Sequence, residues 1–538
     1  MHASPASKSI LLAAVLSIGL GAGACSGGGD PGSDGGSDGG ADGGDGGGLP
    51  GALPFEYSRT DVGEALSPAE VGDFTRRLTG YWKKVDFFRW VLRTSHGVHE
   101  STGKPDYMVW WGGVAAYREG DAVRFYHVDP DGGGHNIMIP TPRVLASAIA
   151  GHLMTGDAAM AELAEQYCKG ITATMKGMVY DEDDPVDWLM ARNIAAFNHG
   201  YTTDEGEEKQ IDYTGWYHAY EHWNTWRFEY ADNPTWGPVW VTNMRSKDDV
   251  PHIFMVVPHL MYAAERAEDE DMRAACAETL SYLRKFAGDI VEQGYKIRTK
   301  DPQGRIYTPG YSGDPELDEA AGDLASFVMW DEFIPDAECN AKRCSALIGR
   351  GDGQGLDCGE AAHNDYEAMA TQIHYYNHDI IRFFHSAHIA NALAHGDAEA
   401  ARVLLRGMAA RIEGYLAEPD PEILPARWNS DVALLALRAA AFGLPLTSQE
   451  ARLIHTSWGR AIDAYKDWES YDLWGEAIPQ GQVAYRPGDR SEDDHWASIE
   501  DMTLVMEYCW SPFRNPAGVE WVDCELVRDP SRWDDSGL

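Results

Sequence analysis

The chain has 538 residues, of which 44% are hydrophobic and 11% aromatic, so it can bury a large core. Its formal net charge is −41, from 85 acidic and 44 basic residues. Nucleic acids and anionic membrane surfaces would be repelled, which argues against a nucleic-acid partner and against membrane binding through basic residues.

Residues 1–25 have the layout of a secretory signal peptide. Lys8 precedes an apolar stretch from Ile10 to Leu20, and small residues lead to Cys25. The apolar stretch is too short to span a bilayer. The sequence AGAC that ends at Cys25 resembles the lipobox of bacterial lipoproteins, although it has alanine where leucine is usual. The resemblance implies lipidation of Cys25 and anchoring at the outer membrane; plain signal cleavage would leave a periplasmic protein.

Residues 26–54 are rich in Gly, Asp, Ser and Pro and have little to bury, so we expect a flexible, self-repelling tether. A single domain, residues 55–538, is predicted to follow. Export permits disulfides, and seven cysteines follow Cys25, so at least one stays unpaired within the chain. No cysteine spacing is typical of a zinc site. Structural disulfides are therefore predicted, with Cys509 and Cys524 close together near the end.

Four stretches share one pattern, in which an apolar helix, a short polar turn and an amphipathic helix follow one another. They are residues 142–175, 251–286, 380–415 and 430–462. The first helix of each pair is apolar nearly all round and should be buried, whereas the second has a charged face and should be exposed. Buried helices inside and exposed helices outside describe an (α/α) toroid, which we predict for this mainly α chain. A discontinuous helical bundle is the alternative.

One exception to the helical pattern lies at residues 108–128, which are predicted to form a β-hairpin that turns at Arg118 to Asp121. The rest of the chain from residue 67 is predicted to be mainly helix and loop. Long segments rich in Gly, Asp and Pro separate the repeats, and we expect them to gather at one mouth of the toroid.

Polar residues recur where the predicted inner helices begin. They are His135, Asn136, Arg245, Lys247, Asp248, Asp249, Asn377, His378, Asp379, Asn429 and Asp431. Helix N-capping accounts for Asn and Asp at such positions. It does not account for His, Arg and Lys at the same level, which indicate a site at the mouth.

Residues 374–397 hold five histidines in a run that otherwise reads as a buried helix. At 1.5 Å per residue the rise from His374 to His395 is about 32 Å, which excludes a single metal site for all five. A metal bound by His374 and His378, or by His385 and His388, would need ligands from other helices. Asn377 and His378 lie near the mouth, whereas His385, His388 and His395 are predicted to be deeper, hydrogen-bonded and structural.

A second dense stretch, residues 213–230, interleaves aromatic side chains with His218, His222 and Arg227. Such side chains can stack on sugar rings, whose C–H faces are apolar. The substrate-binding residues predicted from this and the neighbouring segments are Trp216, Trp223, Trp226, Trp110, Trp111 and His374. A packed aromatic core is the alternative. HAYEH at 218–222 matches the H-x-x-E-H zinc motif of inverzincin proteases, but in a different architecture.

The sequence YYNHDIIRFFHSAH at 375–388 resembles the Asn-His helix of alginate-type polysaccharide lyases. The toroid predicted for this chain also resembles the helical toroids of many glycan-active enzymes. The resemblance implies that Asn377 helps to neutralise a uronate carboxylate and that His378 acts near the base. The Arg and Tyr that this family places on a later helix have no clear counterpart here. Tyr217 and Tyr220 are the substitute candidates.

Three functions remain open. The first is β-elimination on a uronic-acid polysaccharide, in which Arg245, Lys247 and Asn377 offset the carboxylate charge while His378, His222 or a tyrosine moves protons. The second is glycoside hydrolysis by two carboxylates, chosen from Asp248, Asp249, Asp379 and Asp431. The third is glycan binding by a tethered lipoprotein without catalysis.

No cofactor is required by these chemistries. The segment at 349–360 could coordinate a structural calcium ion through Asp352, Asp357 and Glu360, although it lacks the spacing of an EF-hand. A solvated loop held by a disulfide is the preferred interpretation of this segment.

Overall fold

Helices make up most of the described part of the chain, so the prediction of a mainly α protein is confirmed there. The computed structural model describes residues 61, 63–85, 97–98, 105–106, 113–119, 122–129, 138, 141–178, 188–196, 200–202, 208–210, 227–233, 237–243, 249–300, 304–308, 313–315, 335–351, 386–398, 400–402, 405, 409, 435–466, 504–515 and 517–534. All of these residues belong to one compact unit, Gly48–Leu538.

The helices follow the order of the chain. They are α1 (Pro68–Val85), α2 (Thr141–Thr155), α3 (Ala158–Lys176), α4 (Asp249–Met255), α5 (Val257–Arg266), α6 (Glu270–Glu292), α7 (Pro335–Arg350), α8 (386–394), α9 (435–441), α10 (Ser448–Lys466), α11 (504–510) and α12 (Cys524–Val527), with a short 3-10 helix at Pro530–Arg532. No helix within the described ranges has both the length and the apolar character needed to cross a membrane.

The first predicted hairpin consists of α2 and α3, and its turn is built from two residues. Gly156 has a positive φ of 68°, a backbone conformation that residues with a Cβ rarely adopt. Asp157 then caps α3 by accepting a hydrogen bond from the amide of Ala159 at 2.8 Å. The glycine ends one helix and the aspartate begins the next.

The turns of the third and fourth hairpins also contain a glycine with positive φ, followed by a residue that caps the next helix. Gly396, with φ 76°, follows α8, and Asp397 accepts a hydrogen bond from the amide of Ala400 at 3.1 Å. Gly443, with φ 102°, follows α9, and Thr447 caps α10. These turns fall where the sequence places them.

The second hairpin differs from its prediction. Its first helix, expected to be continuous, is divided into α4 and α5, because Pro258 has no amide hydrogen for the preceding turn and stands in the first turn of α5. Asp269 caps α6 by accepting a hydrogen bond from the amide of Met272 at 2.9 Å. The division at residue 256 leaves the hairpin otherwise intact.

The first two hairpins pack side by side, α2 against α5 and α3 against α6. Cys168 lies beside Cys276, 108 residues away, and Thr172 lies beside Thr279, 107 residues away. Because this offset stays nearly constant along the contact, α3 and α6 run in the same direction. The two hairpins are therefore related by repetition rather than by reversal.

The first helices are buried as predicted, but the prediction of an exposed second helix holds for α6 and is wrong for α3, which is buried over most of its length. The described side chains of residues 144–150 in α2 and 386–393 in α8 are all buried. In α6 the side chains of Ala277, Glu278 and Ser281 lie on an exposed face. The first helices thus form the core, and the second helix of the second hairpin covers it.

Strands occupy more of the chain than the sequence predicts. The hairpin of β3 (Gly113–Glu119) and β4 (Ala122–Asp129) is confirmed, with Glu119 opposite Ala122. The sequence does not predict a three-stranded antiparallel sheet in which β9 (Gly237–Thr242) lies between β5 (Asn193–Ala196) and β8 (Arg227–Asn233). Val239, Trp240 and Val241 are residue types that favour strands.

The bounds of the remaining strands complete the description. They are β1 (Gly97–Val98), β2 (Pro105–Asp106), β5 (Asn193–Ala196), β6 (Gly200–Thr202), β7 (Glu208–Gln210), β8 (Arg227–Asn233), β9 (Gly237–Thr242), β10 (Thr299–Lys300) and β11 (Ile306–Tyr307). The pairs β1–β2, β6–β7 and β10–β11 are antiparallel.

The helix α1 packs against elements from the other end of the chain. The ring of Phe74 stacks on that of His455 in α10, with centroids 3.9 Å apart. The amide of Asp523 donates a hydrogen bond to Thr75 Oγ1 at 2.8 Å. A disulfide between Cys509 and Cys524 joins α11 to α12. The start and the end of the domain therefore share one core.

Candidate functional site

Nearly all of the predicted site residues lie outside the described part of the chain. Those outside it are Asn377, His378, His222, Tyr217, Tyr220, Arg245, Lys247, Asp248, Trp216, Trp223, Trp226, Trp110, Trp111, His374 and the lipidation residue Cys25. Their assignments stay predictions. Asp249 is the member of the set that the structure describes.

Asp249 is the first residue of α4 and is fully buried. A carboxylate at this position is favoured by the partial positive charge of the helix N-terminus. Its position in the first turn of α4 fits a role in starting the helix, which is one of the two interpretations that the sequence offers. Arg245, Lys247 and Asp248 directly precede it in the chain.

The described helices enclose a group of ionisable side chains, here called the core polar cluster: His259 on α5, Arg438 on α9 and Glu507 on α11. They are only 4%, 8% and 5% exposed, respectively. His259 Nε2 lies 4.0 Å from Glu507 Oε1. Arg438 Nη1 lies 2.8 Å from the sulfur of Met255. Three separate stretches of sequence thus place opposite charges inside the core.

Burial lowers the pKa of His259, the Glu507 carboxylate opposes this shift, and Arg438 adds to it. His259 is therefore neutral at pH 7, and its contact with Glu507 joins an imidazole to a carboxylate rather than two charges. Its ring also lies 5.9 Å from that of Trp510.

The core polar cluster has the groups of an acid–base pair but no access for a substrate, since both side chains of the His259–Glu507 contact are buried. Buried polar groups of this kind can fix how helices meet, because any other packing would leave a charge without its neighbours. We interpret the cluster as the device that sets the packing of α5, α9 and α11.

His388, on α8, is a second enclosed imidazole at 1% exposure. Burial, with a smaller effect from Arg343, lowers the pKa of His388 to about 3. A base this weak is poorly matched to proton abstraction near neutral pH. The structural role predicted for His388 is supported, but neither ring nitrogen has a hydrogen-bond partner among the described residues, contrary to the prediction.

Asn391, one turn beyond His388, joins α8 to α4. Its Nδ2 donates to the carbonyl oxygens of Phe254 and Ala387, each at 2.8 Å. His395 Nδ1 lies 2.8 Å from the carbonyl oxygen of Asn391, and burial lowers the pKa of His395. The described part of the histidine-rich helix is therefore packed against protein. His385 lies outside the described residues.

Sequence reasoning missed the core polar cluster, although a signal for it was present. His259 stands in VVPHLMYAA, Arg438 in LLALRAAAF and Glu507 in LVMEYCW. Each is a single ionisable residue within an apolar helical stretch. A residue of this kind in a helix expected to be buried predicts an internal polar contact.

Among the described residues no group of three or more His, Cys, Asp or Glu side chains is placed to hold a metal ion. The calcium candidates Asp352, Asp357 and Glu360 lie outside those residues. The calcium site therefore stays a prediction.

Comparison with family models, with curated proteins and with solved structures finds no match to this chain. Its candidate chemistry therefore rests on its own residues.

Proposed function

We propose that this chain is an exported polysaccharide lyase with an (α/α) toroid, which cleaves uronic-acid glycans by β-elimination. The observation that carries the proposal is the repetition of the first two hairpins in the same direction, because it brings the N-terminal ends of α2 and α4 to the same side. In the sequence, His135 and Asn136 precede α2, and Arg245, Lys247 and Asp248 precede α4. We expect these residues to form a shared polar mouth above the buried helical core, where a glycan would bind.

Charge neutralisation is the first part of the chemistry. Removal of the proton next to the uronate carboxylate builds up negative charge, which Arg245, Lys247 and Asn377 would offset. The chain carries a large acidic excess, so binding of an anionic glycan requires such locally placed basic groups.

Proton transfer is the second part. His378 is our candidate base, and Tyr217, Tyr220 or His222 would supply or share the second proton transfer. The low pKa of His388 supports this choice indirectly, since it removes a deeper histidine of the same run from consideration.

Sugar binding and anchoring complete the proposal. Trp216, Trp223 and Trp226, together with Trp110, Trp111 and His374, would contact the sugar rings. Lipidation at Cys25 would hold the enzyme at the outer membrane. The Cys509–Cys524 disulfide supports an oxidising compartment.

The test is a panel of uronic-acid polysaccharides incubated with the purified full chain. We expect at least one to give products with the ultraviolet absorbance of an unsaturated uronate, and His378→Ala to lower the rate by a factor of about 10²–10⁴. His395→Ala, a histidine further along the same run, is the matched control and should keep the wild-type rate.

The outcomes separate the alternatives. New reducing ends without unsaturated products would replace the lyase proposal with a glycoside hydrolase. Glycan binding with no product, unchanged by alanine at His222, Asn377 and His378, would establish a binding lipoprotein. No absorbance from any uronan would refute β-elimination.

A further inference from the structure

Two buried thiols meet where the first and second hairpins pack together. Cys168 on α3 and Cys276 on α6 are each fully buried, and their sulfur atoms are 3.6 Å apart. Both are free thiols in the structure. A third described free cysteine, Cys344 on α7, is also buried, but its thiol contacts Asn391 rather than another sulfur.

Polar contacts hold the two thiols in register. Thr172 Oγ1 lies 2.9 Å from Thr279 Oγ1, one turn further along each helix. The Thr279 hydroxyl also donates to the carbonyl oxygen of Cys168 at 3.0 Å. Because α3 and α6 are long and fixed by these contacts, the two sulfurs cannot drift apart without breaking the hairpin interface.

We propose that Cys168 and Cys276 form a disulfide in the exported protein, which covalently joins the first hairpin to the second. The sulfur atoms need to approach by only about 1.6 Å to reach bonding distance. This bond is separate from Cys509–Cys524; it rests on the proposed export of the chain but not on the proposed catalytic activity.

The oxidant belongs to the class of disulfides, either a protein dithiol oxidase or oxidised glutathione. One cysteine thiolate attacks a sulfur of the oxidant, which forms a mixed disulfide and releases one thiol of the oxidant. The second cysteine thiolate then attacks the mixed disulfide and releases the other thiol. Two protein thiols are oxidised, one disulfide is reduced, and the two protons end on the released thiols.

The timing of oxidation follows from burial. Contact with Cys168, and then burial, raise the pKa of Cys276 well above its ordinary value, so the reactive thiolate is scarce once the helices have packed. We therefore expect oxidation during folding, before α3 and α6 close on each other. After packing, the same burial shields the bond from reductants. Whether Cys168 and Cys276 are bonded in the folded protein therefore depends on the redox conditions during folding.

Peptide mapping tests the proposal. The full chain, produced with its own N-terminal segment in an oxidising bacterial periplasm, is denatured in an alkylating reagent, digested and analysed by mass spectrometry. The expected result is a linked peptide pair that contains Cys168 and Cys276. Recovery of both cysteines in alkylated form overturns the proposal, whatever the state of Cys509 and Cys524.

A second measurement uses alanine variants and thermal unfolding. A disulfide is lost when either partner is replaced, so Cys168→Ala, Cys276→Ala and the double variant should lower Tm by the same amount, about 4 °C for a bond that closes so long a loop. Cys344→Ala is the matched control and should not change Tm by this amount. Refolded under reductant, which also opens Cys509–Cys524 in every variant, the wild type should match Cys168→Ala in Tm. Losses that add in the double variant would indicate two packed thiols without a bond.

Discussion

At the scale of single residues, the interior of this protein depends on neutral histidines. His259, His388, His395 and His455 are all buried to a large extent, and burial is the main cause that lowers the pKa of each. A histidine of this kind can be packed like an aromatic ring as long as it stays unprotonated. The unfolded chain has no such restriction, so acid favours unfolding.

His388 allows this effect to be measured. Its pKa is about 3 in the folded protein against an ordinary value of 6.5. The unfolded chain binds the proton more readily below pH 6.5, so stability present above that pH is lost as the pH falls toward 3. From pH 7.5 to 5.5, urea unfolding should show the wild type losing about 1.4 kcal/mol more than His388→Leu.

The control for this experiment is the range from pH 7.5 to 9, over which both proteins should change in parallel. At pH 7.5 the leucine side chain should cost less than about 1.5 kcal/mol, since it is apolar and similar in volume. Equal losses in both proteins between pH 7.5 and 5.5 would mean that His388 is not kept neutral.

The residue scale also marks where sequence reasoning reached its limit. The structural role of His388 follows from its distance along the helix, a local quantity. The partnership of His259 with Glu507 does not, because 248 positions of chain separate them and no local pattern pairs them. Of the predicted site residues, Asp249 alone is described, and its position in the first turn of α4 fits a helix-starting role.

At the scale of elements, reciprocal caps begin two of the helices that pack together. In α10, the Thr447 amide donates to Glu450 Oε2 at 2.8 Å, and the Glu450 amide lies 3.3 Å from Thr447 Oγ1. In α1, Ser67 and Glu70 make the same exchange at 2.7 and 3.3 Å. Each reciprocal cap supplies hydrogen-bond acceptors to backbone amides that the start of a helix would otherwise leave without partners.

Thr447→Ala tests the cap of α10. The variant removes the hydroxyl that accepts from the Glu450 amide, so we expect the free energy of unfolding to fall by about 0.5–2 kcal/mol in urea titrations. Thr456→Ala removes an exposed threonine from the same helix and should cost less than about 0.5 kcal/mol. A similar loss in both variants would contradict a specific capping role.

Hairpin turns were predictable because their signals are adjacent in sequence, as with Gly156 and Asp157 or Gly396 and Asp397. Strands β5 and β9 pair residues such as Asn193 and Thr242, which are far apart in the chain. Strand pairing of this range has no local marker beyond residue type, and the sheet was missed. The division at Pro258 was available from sequence, since proline cannot donate the hydrogen bond that a continuous helix requires.

At the scale of the whole molecule, the beginning of the domain is held by its end. Phe74 of α1 stacks on His455 and lies 5.9 Å from Trp458 and 6.2 Å from Trp521, measured between ring centroids. His455 Nε2 lies 2.6 Å from the carbonyl oxygen of Trp521. Around these rings, Arg452 contacts Glu70 at 3.0 Å.

Phe74→Ala tests whether the packing of α1 against His455, Trp458 and Trp521, here called the closure, stabilises the entire domain. Loss of a buried aromatic ring should lower the free energy of unfolding by about 3–5 kcal/mol. Phe74→Leu keeps most of the apolar volume and should cost less than half of that amount. Unfolding followed by far-ultraviolet circular dichroism and by tryptophan fluorescence should remain coincident if the domain unfolds as a unit.

A low-temperature melting step confined to α1, with the rest of the domain unaffected by Phe74→Ala, would contradict such closure. The sequence alone does not reveal the contact between α1 and α10, because α1 lies outside the four repeats and no pattern within it indicates α10 as its partner. The repeats predict neighbours in order along the chain, whereas Phe74 and His455 are 381 positions apart.

The hydrogen bond between Thr75 and Asp523 can form only after a long stretch of chain has been synthesised. These residues are 448 positions apart. A chain made at 5–20 residues per second takes roughly 20–90 s to extend from Thr75 to Asp523. Until His455 and then Asp523 have been made, α1 lacks the contacts that these two residues supply. A chain that is terminated before Asp523 therefore leaves Thr75 without this contact.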